Sequence, residues 1–386
     1  MNKKICVVTT TRAEYGLLRS LITRINDDKD LTLLLAVTGT HLSQKFGHTV
    51  DEIIKDNFPI DRCIEIPLET DGSLAMANTM SAALTVFSKY FEERKPDMVV
   101  ILGDRYEAFA IASAAAVCRI PISHIHGGET TEGAFDEFFR HCITKMSYLH
   151  FTSCEDYRRR VIQLGERPDR VFNVGALGIE NINKLELLSL DEVAEIIGID
   201  KNKPFCMVTF HPVTLESNTA EEQFVELLDA LDSFEEMQFI FTKANSDTDG
   251  EKINKLIDEF SETRQNIQAF YSLGVVKYLS AMKYSKMVIG NSSSGIIETP
   301  SFCIPTINIG DRQKGRIQAD SIINCLPQNK SIISAIEKAL SNDYSNTVNP
   351  YEGKNTSHDI LEIMKETLNS TSINLKKSFY DCEAAK

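Results

Sequence analysis

The stretch Met287-Val288-Ile289-Gly290-Asn291-Ser292-Ser293-Ser294-Gly295-Ile296-Ile297-Glu298 runs from a short apolar block, through glycine and small hydroxyl residues, into a helix-like segment. A strand that opens directly into a helix is a βα unit, and βα units repeated along a chain build a parallel sheet with ligands at its strand C-termini. Backbone N–H groups and the positive dipole end at such a helix opening suit an anion, and a diphosphate is the natural guest. Glu298 lies three residues past Gly295, about one helical turn, where its carboxylate can accept hydrogen bonds from a sugar diol. The stretch taken by itself fits a nucleotide cradle and a serine-rich helix cap without ligand almost equally well.

The same alternation extends outward in both directions. Strands are expected at Ile5–Thr9, Leu31–Thr38, Met98–Leu102, Ile122–Ile125, Leu149–Phe151 and Val171–Val174, with amphipathic helices between them. A polar passage through Asn181–Leu190 precedes a second series at Phe205–Phe210, Phe239–Thr242, Ile267–Phe270, Met287–Ile289 and Thr306–Ile309. The expected fold class is α/β, with two Rossmann-like domains facing a central cleft. The first covers 1–178 and carries acid-base residues, the second covers 179–366 and binds the nucleotide, and a tail from 367 to 386 packs back on the first domain or frays.

The 386 residues, 42% of them hydrophobic, suffice for two cores. A net charge of −14 argues against nucleic-acid or anionic-membrane partners, which reward clustered Lys and Arg. Nine cysteines scattered singly, with no C-x-x-C pair, fit a reducing compartment. Neither a signal peptide nor a membrane span is legible, so a cytoplasmic protein is expected. A homo-oligomer, dimer or tetramer, is the expected assembly.

Candidate functional residues concentrate at the strand ends. Arg12, in Thr9-Thr10-Thr11-Arg12-Ala13-Glu14-Tyr15-Gly16, opens the first helix where it can meet a phosphate or stay solvated. Asp104 and Arg105 end another strand, where an N-cap is the simpler role for the Asp. The densest segment is His124-Ile125-His126-Gly127-Gly128-Glu129, followed by Asp136-Glu137 and Arg140-His141. No fold needs so many ionisable groups together, and carboxyls held close or buried acquire separated pKa values suited to acid–base work. Arg140, four residues after Asp136, can share its helical face and hold it or a substrate carbonyl. His124 and His126 alternate across a strand, so a shared metal is not expected and one of them is a core histidine. In the second half, His211 ends a buried-looking strand before Pro212. Asn245, in Lys243-Ala244-Asn245-Ser246-Asp247, and Arg312, in Asn308-Ile309-Gly310-Asp311-Arg312-Gln313, follow two more strands and are candidates to ring the base and phosphates.

Missing signatures narrow the choice. There is no G-x-G-x-x-G after the first strand, no Walker A, no H-E-x-x-H and no G-x-S-x-G. A nucleotide-linked substrate without a redox cofactor remains, and no cofactor or metal is expected.

In order along residues 5 to 325, Arg12-Ala13-Glu14-Tyr15-Gly16, Gly103-Asp104-Arg105, His124–Glu129, Arg140-His141, His211-Pro212-Val213-Thr214, Gly290–Gly295 and Gly310-Asp311-Arg312-Gln313 resemble the hydrolysing UDP-N-acetylglucosamine 2-epimerases. The resemblance implies a glycosyltransferase B-like fold. It also implies release of UDP and N-acetylmannosamine, the first step of sialic acid biosynthesis, by anti elimination to a 2-acetamidoglucal followed by hydration. A sibling branch acts on UDP-2,4-diacetamido-2,4,6-trideoxyglucose toward legionaminic acid, and Gly128–Ala134 looks somewhat like that branch. Carried over, Asp104, Glu129 and Asp136 are the acid–base carboxyls, Arg140 orients Asp136 or the sugar, and His211 assists the departing diphosphate. Arg12, Arg105, Asn245, Ser292, Ser293 and Arg312 contact the nucleotide and Glu298 its ribose. Many relatives read His-Ile-Glu-Gly-Gly-Glu where this chain has His126, which leaves Glu129 and His126 both as claimants to the role of the earlier glutamate. A glycosyltransferase of the same fold and a non-catalytic UDP-sugar binder are the rival classes.

Overall fold

The computed structural model describes residues 2–68, 72–132, 136–212, 219–244, 250–370 and 373–382. Seven strands, β1 (Lys3–Thr9), β2 (Leu31–Thr38), β3 (Ile60–Ile64), β4 (Met98–Leu102), β5 (Ile122–Ile125), β6 (Leu149–Thr152) and β7 (Val171–Asn173), form one sheet in the order β3-β2-β1-β4-β5-β6-β7. Six more, β8 (Phe205–Thr209), β9 (Gln238–Thr242), β10 (Ile267–Phe270), β11 (Val288–Gly290), β12 (Thr306–Ile309) and β13 (Ile322–Cys325), form a second in the order β10-β9-β8-β11-β12-β13. Every pairing is parallel. Each sheet therefore reverses its winding once, between β1 and β4 in the first and between β8 and β11 in the second. At such a switch point the flanking loops part and leave a crevice at the strand C-termini.

Helices cover both faces because the central strands are apolar on both. In β1, Ile5 and Val7 enter a core with Leu18, Leu21 and Ile22 of helix Arg12–Asp27, while Cys6 and Val8 point the other way, toward Phe87 and Phe91 of helix Ser73–Arg94. That period of two, feeding two cores, is the mark of a doubly covered strand. Strands β3 and β13 escaped the sequence reading. They are edge strands whose Asp61, Arg62 and Asn324 dilute the apolar signal that central strands carry.

The chain divides into two compact units, Met1–Glu129 with Asp136–Asn181 and Tyr351–Lys386, and Thr130–Phe135 with Ile182–Pro350. The expected second domain ran to 366; helix Thr356–Asn369 belongs instead to the first unit. Its apolar stripe, Ile360, Leu361, Met364 and Leu368, shares the core of helix Arg12–Asp27. Buried Glu180 fixes its start by accepting from the N–H and hydroxyl of Ser357, at 2.7 and 2.8 Å. The stripe was legible in the sequence, whereas its partner lies over three hundred residues upstream.

Beyond this helix the tail crosses the first unit as an extended strap. Lys377 Nζ donates to the carbonyls of Lys145 and Ser147, both at 2.7 Å, and pairs with buried Glu166 at 2.6 Å. Tyr380 N–H donates to Gly165 O, and the Phe379 ring occupies the place where a Cβ on Gly165 would sit. No helix among the described residues is long and apolar enough to cross a membrane.

Candidate active site

At the switch point of the first sheet, the loops after β1 and β4 bring charged groups together. Thr11 caps helix Arg12–Asp27, its hydroxyl accepting from Glu14 N–H at 3.3 Å, and this sets Arg12 on the first turn. Glu14 folds back onto the loop and accepts from the N–H and hydroxyl of Thr10 at 2.8 Å. Burial pushes its carboxyl up to about 7 against the opposing charge of Arg105 and the bonds from Thr10. Arg105 precedes helix Tyr106–Val117 and donates to buried Glu107 at 3.2 and 3.3 Å. Glu14 and Glu107 had no part in the sequence reading, because nothing in one dimension shows that two helix openings share Arg105.

Arg140 is the largest fully buried side chain among the described residues. Its guanidinium ties three separate segments: it pairs with Asp104 at the end of β4 and with Glu137 on its own helix Asp136–Met146, and donates to the Glu129 carbonyl at 3.0 Å. A buried fork of this kind is held by its carboxylates and positions them in return. The sequence reading offered Asp136 or the sugar as the partner of Arg140. The structure adds Asp104 and Glu137, and Glu137 also meets His141 at 3.1 Å. Asp136 stands at the first residue of the same helix and is half-buried.

The two histidines of β5 and its following turn take opposite fates. His124 is fully buried, with Nδ1 at 3.1 Å from Thr144 Oγ1 and Nε2 at 2.7 Å from Gly103 O. Burial drives its pKa down to about 3, so it is a neutral core residue with both ring nitrogens engaged. His126 adopts φ +66°, a left-handed conformation that is uncommon for residues other than glycine, and its Nδ1 lies 3.5 Å from Glu129 Oε1. Glu129 also accepts from Ser153 Oγ at 2.8 Å. The two claimants to the earlier glutamate's role are thus neighbours in one pair.

The second unit presents mostly neutral groups at its own switch point. Gly290, at φ +135°, is required there: a Cβ would lie 1.9 Å from Thr209 O, where β8 and β11 converge. Asn291 then bonds the backbone of His211 on both sides, accepting from its N–H at 2.7 Å and donating to its carbonyl at 2.8 Å. This locks the residue after β8 to the turn after β11. Ser292 caps helix Ser293–Ile297, its hydroxyl accepting from Ser294 N–H at 3.4 Å. The helix has only five residues, so its macrodipole is small, and what this turn can offer an anion is first-turn N–H groups and hydroxyls rather than a dipole end. Arg312 and Gln313 both donate to Asn291 O, at 3.1 and 2.8 Å, which fastens the loop after β12 to the same turn. Glu298 follows the helix and accepts from Ser294 Oγ at 2.5 Å. Burial raises its carboxyl above the ordinary glutamate value. Asn245, Val213 and Thr214 lie outside the described residues. Among the described residues, no group of three His, Cys, Asp or Glu side chains is placed to hold a metal ion.

Two doubly wound parallel units, one with ionisable and one with small polar side chains at its switch point, define the two-domain α/β class shared by B-type glycosyltransferases and UDP-sugar 2-epimerases. The model of the family described as UDP-N-acetylglucosamine 2-epimerase matches residues 23–365, and the chain belongs to that family. It is 44% identical, over 89% of this chain and 88% of the relative, to the GDP/UDP-N,N'-diacetylbacillosamine 2-epimerase (hydrolyzing) of Campylobacter jejuni. It is 41% identical, over 98% and 97%, to the polysialic acid biosynthesis protein P7 of Escherichia coli. The crystal structure of the UDP-GlcNAc 2-epimerase of Neisseria meningitidis bound to UDP-GlcNAc shares the fold, with a TM-score of 0.80 at 18% identity over 94% of this chain and 100% of that one. The protein is an enzyme of the hydrolysing UDP-sugar 2-epimerase kind.

Proposed function

We propose that this enzyme converts UDP-N-acetylglucosamine to UDP and N-acetylmannosamine, the entry to sialic acid biosynthesis. The observation that carries the reading is the buried Arg140 fork, which holds Asp104 and the Glu129 loop beside the opening of the helix that begins with Asp136. In the first step a base takes the C2 proton. The C–H electron pair becomes the C1–C2 double bond, and the C1–O bond breaks as UDP departs. In the second step the resulting 2-acetamidoglucal gains a proton at C2 on the opposite face and water at C1. Two proton transfers at one carbon need two differently poised groups.

Asp104, held by the Arg140 guanidinium just past the end of β4, fits the base. Glu129, nearly excluded from water and within reach of His126 and Ser153, fits a group that exchanges a proton with its neighbour. Asp136 is the third carboxyl of the set. Arg12, Arg105, Ser292, Ser293 and Arg312 are proposed to contact the nucleotide, Glu298 its ribose, and His211 the departing diphosphate. Asn245 completes this proposed set.

A second substrate is favoured by one observation, the 44% identity to a relative named for diacetylbacillosamine. On that reading the same elimination and hydration act on UDP-2,4-diacetamido-2,4,6-trideoxyglucose, on the way to legionaminic acid. Phosphorus NMR of each UDP-sugar incubated without an acceptor tests both. Free UDP from UDP-N-acetylglucosamine at the greater kcat/KM supports the first substrate, and the reverse ratio replaces it with the second. No free UDP from either overturns the hydrolytic reading.

A further inference from the structure

Glu298 does not stand alone. Tyr278, on helix Gly274–Tyr284, donates its hydroxyl to Ser294 Oγ at 3.0 Å, and Ser294 donates onward to Glu298 Oε2 at 2.5 Å. The chain runs one way. A serine hydroxyl has a single proton, and while Tyr278 fills one of its lone pairs that proton is committed to the carboxylate. Without the tyrosine hydroxyl, the Ser294 Oγ loses its donor, and its rotor is no longer held from both sides on the line to Glu298. Burial holds the Tyr278 hydroxyl at about 12, with Glu298 adding to the shift and Ser294 and Thr209 opposing it, so the donor stays protonated at any working pH. Ser294 thus engages Oε2, one of the two oxygens with which a carboxylate can accept.

We propose that Tyr278, acting through Ser294, is a positioning residue that fixes the Glu298 carboxylate for a vicinal diol, and that this makes the site selective for a ribonucleoside diphosphate over its 2'-deoxy counterpart. The proposal rests on the assignment of Glu298 to the ribose. Neither Tyr278 nor Ser294 has to touch the nucleotide for it to hold.

Calorimetric titration of the full chain with UDP and with dUDP tests it. The wild type should bind UDP about tenfold or more tighter, since losing one hydrogen bond to a charged group is worth about 1.5–3 kcal/mol. Tyr278→Phe keeps the ring and removes only the hydroxyl. It should cut the UDP to dUDP ratio to about threefold or less and leave dUDP affinity unchanged, and Ser294→Ala should do the same. A purely structural role would weaken both nucleotides together, and that result overturns the proposal. An unchanged ratio in Tyr278→Phe overturns it as well. A wild-type ratio near one removes the ribose assignment itself and is thereby distinguished from failure of the relay.

Discussion

The two switch points are built from opposite materials. That of the first unit is a lattice of charges: Arg140 against Asp104 and Glu137, Arg105 against Glu107 and Glu14, Glu129 against His126. That of the second is a lattice of hydroxyls, amides and close backbone contacts around Gly290, Asn291, Ser292 and Ser294. Charges in a low-dielectric interior interact strongly and shift one another's protonation, which suits proton transfer. Neutral donors held by the backbone do not change state, which suits holding a diphosphate through a reaction. The first region is accordingly exposed to loss of fold when one charge is removed, and the second is not.

The sharpest way to break the comparison is through turnover. Asp104→Asn, Glu129→Gln and Asp136→Asn should each lower kcat by roughly 10²–10⁴-fold, the usual size of a general acid or base contribution, with UDP affinity little changed. Turnover in heavy water should place one deuterium at C2 of the released sugar, and ¹⁸O water should label its C1. Sugar without solvent deuterium at C2 would remove the elimination mechanism and the roles of all three carboxyls.

Arg140→Met goes to the fold. Removing a buried cation leaves two carboxylates facing each other, and breaking such a pair costs about 3–5 kcal/mol. Asp104 and Glu137 keep 26% and 20% of their side-chain surface exposed and can relax into water, so the lower end is expected. Urea unfolding read by circular dichroism measures it. A midpoint equal to wild type would show that the fork contributes nothing to stability.

The balance between what the sequence disclosed and what it withheld follows the same division. The strand-to-helix turn of the second unit was legible because its grammar is local: strand, glycine, hydroxyl cap and helix occupy consecutive positions from Met287 to Glu298. The ionisable segment was legible as a density of charge, but not as a wiring diagram. Asp104 and Arg140 are thirty-six residues apart, and only the parallel order of β4 and β5 with helix Asp136–Met146 brings them together. Glu14 and Glu107 were invisible for the same reason. The edge strands β3 and β13 were missed because half-exposed strands carry weaker periodicity, and helix Thr356–Asn369 was placed in the wrong unit because a stripe does not name its partner.

The cradle variants sharpen the contrast from the other side. Ser293→Ala and Glu298→Ala should each weaken UDP binding by about 1.5–3 kcal/mol, with the unfolding free energy from urea titration within about 0.5 kcal/mol of wild type. Calorimetry and unfolding on the same samples separate the two. Unchanged affinity in both variants would leave the turn a helix cap, and a collapse of the fold would erase the contrast with Arg140.

The smallest effect concerns the strap, where the first unit repeats its charged style at the C-terminal end of helix Asp136–Met146. Burial alone would raise the Glu166 carboxyl, but the hydrogen bond from His150, itself kept from charging by burial, and the bonds from Lys145 and Lys377 outweigh it and hold the carboxyl down at about 2. Lys377 also sits on the last carbonyls of helix Asp136–Met146, a favourable place for a cation. Lys377→Met should therefore destabilise the protein, but Glu166 retains Lys145 and His150, so the loss should be about 1–2 kcal/mol rather than that of an orphaned charge. The sign with pH follows from the depressed carboxyl. Its contribution is complete above the ordinary glutamate value of 4.5 and is lost as pH falls toward about 2, because the unfolded chain then binds the proton more readily. The gap between wild type and Lys377→Met should accordingly be full at about pH 7 and shrink below about pH 4. Urea midpoints across that range measure it, and a gap that widens in acid would mean that Lys377 acts through something other than Glu166.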